Sequence, residues 1–206
     1  MYPALFEFPR SPKDFRLFHQ SVKIQTLALL GSAFILTLCF LPAAQADEEV
    51  VEVEVAPTID EQILGLKAMC AANAEAMAER QEGESLYLRL GGEEKIREIV
   101  IEIVRLHDED ENFDRFMDQV DQERLIDGVT QFLVVGTGGP GEYEGPNMVD
   151  AHAHLLLTNA DFLAAGGDVM EAMANKGCGE EEIQEIICTL VSMRSLVVVE
   201  SDKVVQ

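Results

Sequence analysis

The sequence is poor in positive charge. Lysine and arginine number 15 against 38 aspartates and glutamates, so the chain of 206 residues carries a formal net charge of −23. Nucleic acids and anionic membrane surfaces repel a chain of this charge. We therefore exclude both as main partners and interpret the acidity as a solvated protein surface.

Cysteine is scarce as well, with four in the chain. They are Cys39, Cys70, Cys178 and Cys188, and no two of them stand at the spacing of metal ligands. Three of them come after residue 46, and an odd number leaves at least one thiol free or paired with another chain. Buried thiols and a single disulfide among the three are both open, and the sequence favours no particular pairing.

Several motifs of fold and chemistry are missing. No two alternating runs are joined by a turn that predicts a β-hairpin. The pair Gly138-Gly139 lacks the Lys-Ser or Lys-Thr of a phosphate-binding loop, and the acidic run 108–111 lacks the spacing and glycine of an EF-hand. No serine, histidine and acid arrangement for acyl transfer is visible. We therefore expect a helical fold without these sites.

The first 46 residues differ in kind from the rest. A basic lead-in precedes an apolar run over residues 27–41, and Ala44-Gln45-Ala46 fits a small-x-small cleavage site. This pattern predicts a signal peptide over residues 1–46, cleaved near Ala46, and an exported protein, periplasmic or extracellular. The alternative is a membrane tether through residues 24–41, which reach the lower limit for spanning a bilayer. Export implies an oxidising compartment.

Residues 47–84 combine an acidic tail with a predicted helix. Valine and glutamate alternate over residues 51–55, a strand-like pattern without a partner, which we interpret as a mobile tail. The helix extends from Thr58 to Arg80, with Thr58 and Glu61 as a capping box and an apolar stripe along one face. The stripe predicts packing on the following domain, and the alternative is a dimerising helix. Residues 81–84 are interpreted as a linker.

Residues 85–206 are predicted to form one all-α domain. Apolar residues recur at helical spacing over 94–107, 123–135, 162–175 and 180–199. Gly177 marks the end of the third of these helices. Because a domain of this size is too small for two separate cores, the helices are expected to share one.

His152 is the residue with the clearest functional alternatives. It comes after a glycine-rich loop and lies in an apolar stretch, Met148-Val149-Asp150-Ala151-His152-Ala153-His154-Leu155. A histidine in such surroundings is most often a satisfied core residue. A haem also needs an apolar wall and one neutral imidazole nitrogen, while His152 with His154 fits a His-x-His zinc pair that lacks evident further ligands. The residues alone leave these interpretations open.

Four stretches of the domain resemble the group I truncated haemoglobins. The run Ser85-Leu86-Tyr87-Leu88-Arg89-Leu90-Gly91-Gly92 is similar to the opening of that family. The segment from Phe132 through Gly138-Gly139-Pro140, Tyr143-x-Gly145 and Met148 to Ala151-His152 is similar to the stretch that ends in its proximal histidine, and Thr158-x-x-x-Phe162 matches the family's residues just after that histidine. The resemblance implies a truncated globin, a two-on-two helical sandwich with an extra N-terminal helix here. It further implies haem b, with His152 as the iron ligand.

The resemblance also assigns the wall of the haem pocket. Its members are Val104, Phe116, Met117, Leu125, Val129 and Leu133 on the distal side, with Met148, Leu155 and Phe162 on the side of His152. The family usually has a tyrosine and a glutamine where this chain has Val104 and Val129, so the expected distal wall has no hydrogen-bond donor. A hydrogen bond contributes about 0.5–1.5 kcal/mol net, and about 1.4 kcal/mol is tenfold in rate. We therefore expect weak retention of dioxygen and poor discrimination among diatomic gases.

The function that the resemblance implies is reversible binding of a diatomic gas, namely oxygen, carbon monoxide or nitric oxide. One alternative is a haem-free globin-fold protein that acts through its surface and the helix 58–80. Another is electron transfer by a six-coordinate haem with Met117 as the second ligand. Members of the family are also linked to nitric oxide oxidation, which needs long-held dioxygen and a reductant that the sequence does not identify. Enzymatic activity and oligomeric state stay open.

Overall fold

Eight α-helices succeed one another in residues 56–199, the part of the chain that the computed structural model describes. They are α1 Ile59–Gly83, α2 Leu86–Arg89, α3 Gly92–Glu109, α4 Asp114–Met117, α5 Gln122–Gly136, α6 Met148–His152, α7 Asn159–Asn175 and α8 Glu180–Val197. A 3-10 turn, Ala153–Leu155, comes directly after α6. The all-α prediction is confirmed over this range. The predicted signal peptide, the alternative tether and the tail up to residue 55 lie outside the described residues.

The long helices begin and end within three residues of the predicted positions. The predicted linker over residues 81–84 is wrong because α1 continues to Gly83. The last predicted helix is two residues too long because Val199 leaves α8 and its N–H donates to the carbonyl of Leu157 at 2.9 Å. None of the helices between residues 56 and 199 has the length and apolar character needed to cross a membrane.

Reciprocal caps fix the start of two helices. The hydroxyl of Thr58 accepts from the N–H of Glu61 at 3.3 Å, and the Glu61 carboxylate accepts from the N–H of Thr58 at 2.8 Å. Thr158 and Asp161 repeat this arrangement at the start of α7. Each box satisfies two backbone donors that have no partner within the helix, so the Thr-x-x-acid spacing specifies both starts locally.

Helix α3 lies at the centre of the domain. It packs on α5 and on α7, and α7 packs on α8. Its buried residues are Ile96, Ile99, Val100, Ile103, Val104 and Leu106. Each such side chain stabilises the fold by about 1.5–3 kcal/mol when it leaves water. The two helix pairs, α3 with α5 and α7 with α8, form the predicted sandwich around the main core.

The two glycine motifs of the sequence meet in the structure. The N–H of Tyr87 donates to the carbonyl of Thr137 at 2.9 Å, and the Tyr87 ring lies against Gly139. A Cβ atom at Gly139 would lie 2.5 Å from Cδ2 of Tyr87 and 2.7 Å from the carbonyl oxygen of Val134. Only glycine fits at so short a distance from both groups. This contact fixes the start of the loop that leads to His152.

Helix α1 lies across α7 and α8, outside the main core. A second, smaller cluster of Met170, Ile187 and Val191 joins it to the domain, with Leu66, Cys70 and Phe162 packed around these three. The packing that its apolar stripe predicts is therefore present. A disulfide between Cys70 of α1 and Cys188 of α8 crosses the same contact. Cys178 is a half-buried free thiol, and burial raises its pKa.

Candidate functional site

The short helix α6 positions His152. The side chain of Asn147 accepts from the N–H of Asp150 at 2.9 Å and begins the helix, which ends at His152. The chain then turns sharply at Leu156, whose φ of 52° is the only positive value for a non-glycine residue between 56 and 199. Leu157 directly afterwards forms an isolated parallel bridge with Val198. The segment that carries His152 is thus attached at its far side to the end of α8.

The imidazole of His152 is oriented by its own helix. Its Nδ1 lies 2.9 Å from the carbonyl oxygen of Met148, one turn earlier. Because a carbonyl oxygen only accepts hydrogen bonds, the bond places the proton of the neutral ring on Nδ1. Nε2 then carries the lone pair that a metal needs, and the hydrogen bond on the other nitrogen fixes the ring orientation. His152 is half-buried.

Five of the six predicted distal residues lie in one cluster. Val104 of α3 is buried, and four partly buried side chains pack against the same main core, namely Met117, Leu125, Val129 and Leu133. Phe116, the sixth, is half-buried, and the guanidinium of Arg115 lies 4.3 Å from its ring centroid. The structure therefore brings residues from α3, α4 and α5 to a common apolar wall.

The wall on α5 is unusual in its exposure. Only Thr130 and Val134 of this helix are buried. Its other large apolar side chains are partly exposed, and they are Leu125, Ile126, Val129, Phe132, Leu133 and Val135. Apolar side chains that the protein covers only in part offer a surface that a flat apolar group would cover further. These side chains and the imidazole of His152 are of the types that would hold a haem.

Thr130 places a hydroxyl beside this wall. Its Oγ1 is buried and has no hydrogen-bond partner within residues 56–199. One residue along an α-helix turns the side chain by about 100°, so Thr130 does not share the helix face of Val129 and is buried with Val134 instead. The residues of the predicted distal wall themselves are all apolar, as the sequence indicates.

Phe162 was predicted on the side of His152 and not on the distal side. Its ring packs in the second cluster, near Leu66 of α1. The other predicted neighbours of His152, namely Met148 and Leu155, are half-buried, whereas His154 is exposed. Between residues 56 and 199, no three histidine, cysteine, aspartate or glutamate side chains are grouped as a metal site.

The sequence does not indicate an ion pair that joins α4 to the start of α7. Nη2 of Arg115, on α4, lies 2.7 Å from Oδ2 of Asp161, in the first turn of α7. Burial raises the pKa of Asp161, but hydrogen bonds from Thr158 and the Arg115 guanidinium outweigh burial and lower it. The Thr-x-x-Asp spacing indicates the capping role of Asp161. No local signal indicates a partner 46 residues away.

Comparison with known proteins identifies the family of this chain. The family described as "Bacterial-like globin" matches residues 85–198. The chain belongs to this globin family. A group 1 truncated hemoglobin from Tetrahymena pyriformis is 28% identical over 102 residues, which are 50% of this chain and 84% of that relative.

Solved structures resemble this globin as well. The crystal structure of truncated hemoglobin from Tetrahymena pyriformis in its Fe(III) form has a TM-score of 0.53 and 25% identity to it, over 57% of this chain and 100% of that one. A tyrosine-to-phenylalanine variant of the same hemoglobin gives the same values. The truncated globin predicted from the glycine motifs is thus confirmed as the fold. Helix α1 lies outside the matched residues of this globin.

Proposed function

We propose that this globin binds haem b and reversibly takes up a diatomic gas, with His152 as the iron ligand. The observation that carries the proposal is the 2.9 Å contact between Nδ1 of His152 and the Met148 carbonyl. A histidine that ligates a metal characteristically donates its other N–H to such a group. The partly exposed apolar side chains of α5 support a haem in this region.

The residues of this chain have distinct roles in such a site. Haem iron would supply the centre at which the gas binds. His152 would supply the lone pair of Nε2, held in direction by Met148. The aliphatic side chains Leu125, Val129 and Leu133 would keep water out of the pocket, because apolar surface is favourably removed from water. Arg115 and Asp161 would hold α4 against the start of α7.

The apolar wall determines the expected gas chemistry. A donor near the gas stabilises bound dioxygen, which carries partial negative charge, and the predicted wall residues have no such donor. Dioxygen is therefore expected to leave quickly, whereas carbon monoxide, less polar when bound, is less affected. Fast release supports reversible binding over nitric oxide oxidation, because oxidation needs dioxygen to be retained and a reductant to be supplied. We propose no enzymatic step.

Met117 supports a second, narrower proposal. It packs against the same cluster as Val129 and is only partly buried, and methionine sulfur is a known second ligand in electron-transfer haem proteins. The absorption spectrum of the ferrous protein separates five-coordinate from six-coordinate iron. A six-coordinate spectrum that becomes five-coordinate in Met117→Leu would favour electron transfer, and a five-coordinate parent would exclude it.

We also propose that the protein is exported. The apolar run and the Ala44-Gln45-Ala46 site support a cleaved leader. The disulfide between Cys70 and Cys188 is in keeping with this, because disulfides persist in oxidising compartments. N-terminal sequencing of the protein from its native compartment tests the cleavage, which is expected near Ala46.

The ligand assignment is tested by haem uptake of the full chain. The parent protein is expected to bind haem with a Soret band that shifts on addition of carbon monoxide. His152→Ala is expected to lose this band or to change its position, because the iron loses its nitrogen ligand. His154→Ala is the matched control, since His154 is an exposed histidine two residues away, and it is expected to behave as the parent. Uptake unchanged by His152→Ala would contradict the assignment, and a parent without any Soret band would favour the haem-free alternative.

A further inference from the structure

We propose that the disulfide Cys70–Cys188 is a redox modification site, which a small dithiol opens to release helix α1 from α7 and α8. The bond connects two helices that are 118 residues apart in the chain. It lies at the contact between the added helix and the globin domain. The inference does not depend on haem, so it stands or fails separately from the proposed function.

Helix α1 has few buried anchors. Of its 25 residues only Ile63 is buried. Two other large aliphatic side chains are mostly or substantially in solvent, with Leu64 64% and Ile59 42% exposed. By contrast, α3 buries six residues in 18. The residues from Ala68 to Ala78 are rich in alanine, the strongest helix former. Alanine favours the helical conformation, but an isolated helix is marginal in water, and the packing of α1 on the domain is thin.

The contact beneath α1 is also imperfectly filled. A cavity of about 20 Å³ lies between α1, α7 and α8, lined by Leu66, Phe162, Leu163, Met170, Ile187 and Val191. Side chains around a void lose dispersion contacts on that side. Helix α1 therefore gains less from this contact than a closely packed helix would.

Polar contacts hold mainly the C-terminal end of α1. Nε of Arg80 lies 2.6 Å from the carboxylate of Glu185, and its Nη1 lies 3.7 Å from that of Glu181. Towards the N-terminal end the side-chain contacts are weaker, for example the exposed hydrogen bond of 3.4 Å from Asn159 to Asp60. The disulfide at Cys70 is the covalent link in the middle of the helix.

A reductant reaches this bond from the side of Cys70, which is partly exposed. Cys188 is buried, with 8% of its surface exposed, and it lines an open cleft of about 410 Å³ together with Met77, Gln81 and Ser192. The cleft is large enough for a small dithiol. Thiol–disulfide exchange requires such access to a sulfur.

Reduction of the disulfide takes two successive thiol–disulfide exchange steps. A thiolate of the dithiol attacks Sγ of Cys70, the S–S bond breaks, and Cys188 leaves as a thiolate that takes up a proton. The second thiol of the reductant then attacks the reductant's own sulfur in the mixed disulfide and releases Cys70 as a thiol. Two electrons and two protons reach the protein, and the dithiol becomes a disulfide.

Helix α1 then keeps the packing of Ile63 and Leu66 and the polar contacts of Met69, Arg80 and Gln81. Because most of these polar contacts lie near its C-terminal end, we expect the N-terminal and middle parts of α1 to detach.

Hydrogen exchange of the full chain tests the proposal. We would use Cys178→Ser as the parent, so that the free thiol takes no part, and compare the oxidised form with the form reduced by dithiothreitol. Thiol counting confirms the redox state. Peptides from Ile59 to Met77 are expected to exchange at least tenfold faster after reduction, while peptides of α3 and α5 keep their protection.

Two further variants complete the test. Adding Cys70→Ser and Cys188→Ser to this parent is expected to give fast exchange in α1 without any reductant. Ile63→Ala with the disulfide intact is expected to leave α1 protected. The proposal is overturned if the purified parent contains no disulfide, if dithiothreitol does not reduce it in the folded protein, or if α1 stays protected once two new thiols are counted. Loss of protection throughout the domain would overturn it too, because the bond would then stabilise the whole fold.

Discussion

Helices α3 and α5 are both rich in aliphatic side chains, but the rest of the protein buries them to different extents. Helix α3 has six buried residues, whereas α5 has two, one of which is a threonine. The two helices pack directly on each other. Apart from Ile101, which is 45% exposed, the protein itself buries the apolar side chains of α3. It covers those of α5 only in part. Apolar content alone does not show what a helix face contacts.

The largest expected effect is on stability, and it distinguishes the two helices. In the haem-free protein, Ile99→Ala on α3 is expected to lower the free energy of unfolding by about 2–5 kcal/mol, because it leaves a cavity in a closed core. Leu125→Ala on α5 is expected to cost less than half as much, since the side chain is already partly in water. Urea denaturation measures both. Equal losses would show that the two faces do not differ.

A smaller effect is expected from a polar group on the α5 wall. Val129→Gln adds an amide donor, which stabilises bound dioxygen by about 0.5–1.5 kcal/mol. The dioxygen dissociation rate, measured by stopped flow on the haem-loaded protein, is expected to fall about threefold to tenfold. Val129→Leu is the control, because it adds bulk without a donor. An equal slowing in both variants would mean that size, not hydrogen bonding, controls release.

The role of Glu102 on α3 can be tested by the pH dependence of stability. Hydrogen bonds from Arg105 and Asn175 and the charge of Lys176 lower the pKa of Glu102 to about 2, although burial opposes them. Because the folded pKa of Glu102 lies below the unfolded value of 4.5, the ionised carboxylate stabilises the folded protein. This stabilisation is complete above pH 4.5 and is lost as the pH falls towards 2. Glu102→Gln is expected to remove it, at a cost of about 1 kcal/mol at neutral pH. Unfolding free energies of both proteins at pH 7 and pH 3 check this, and a difference that does not shrink at pH 3 would contradict it.

The smallest effect on stability is expected from an exposed ion pair between α3 and α5. Nη1 of Arg97 lies 2.6 Å from Oδ1 of Asp127, and both side chains are largely exposed. Arg97→Gln is expected to change the unfolding free energy by no more than about 0.5 kcal/mol, and less at high salt. Thermal denaturation at two salt concentrations measures it. A loss of several kcal/mol would mean that surface charge, and not burial, holds α5 to α3.

Local signals in the sequence specified much of the fold. The Thr58 and Glu61 spacing predicts the start of α1, and apolar periodicity predicts α3, α5, α7 and α8 within a few residues. These features depend on neighbours along the chain. The predicted end of α1 at Arg80 is three residues early, because the helix continues through Gln81 and Glu82 to Gly83.

Long-range features were not predictable in the same way. Three cysteines allow several pairings, and only the packing of α1 on α8 brings Cys70 to Cys188. The same helix brings Leu66 to Phe162, a neighbour that the globin motifs do not contain. Periodicity shows that Leu125 and Val129 share a face. It does not show that this face is partly exposed, because exposure depends on which surfaces the rest of the protein covers.

The most direct test of the account is where haem protects the backbone. Hydrogen exchange of the full chain with and without haem is expected to show new protection over α5, Gln122–Gly136, and α6, Met148–His152. The central part of α3 is expected to change little, because its core is already closed. Protection confined to α1 and α7, or no change over α5 and α6, would contradict the location of the site.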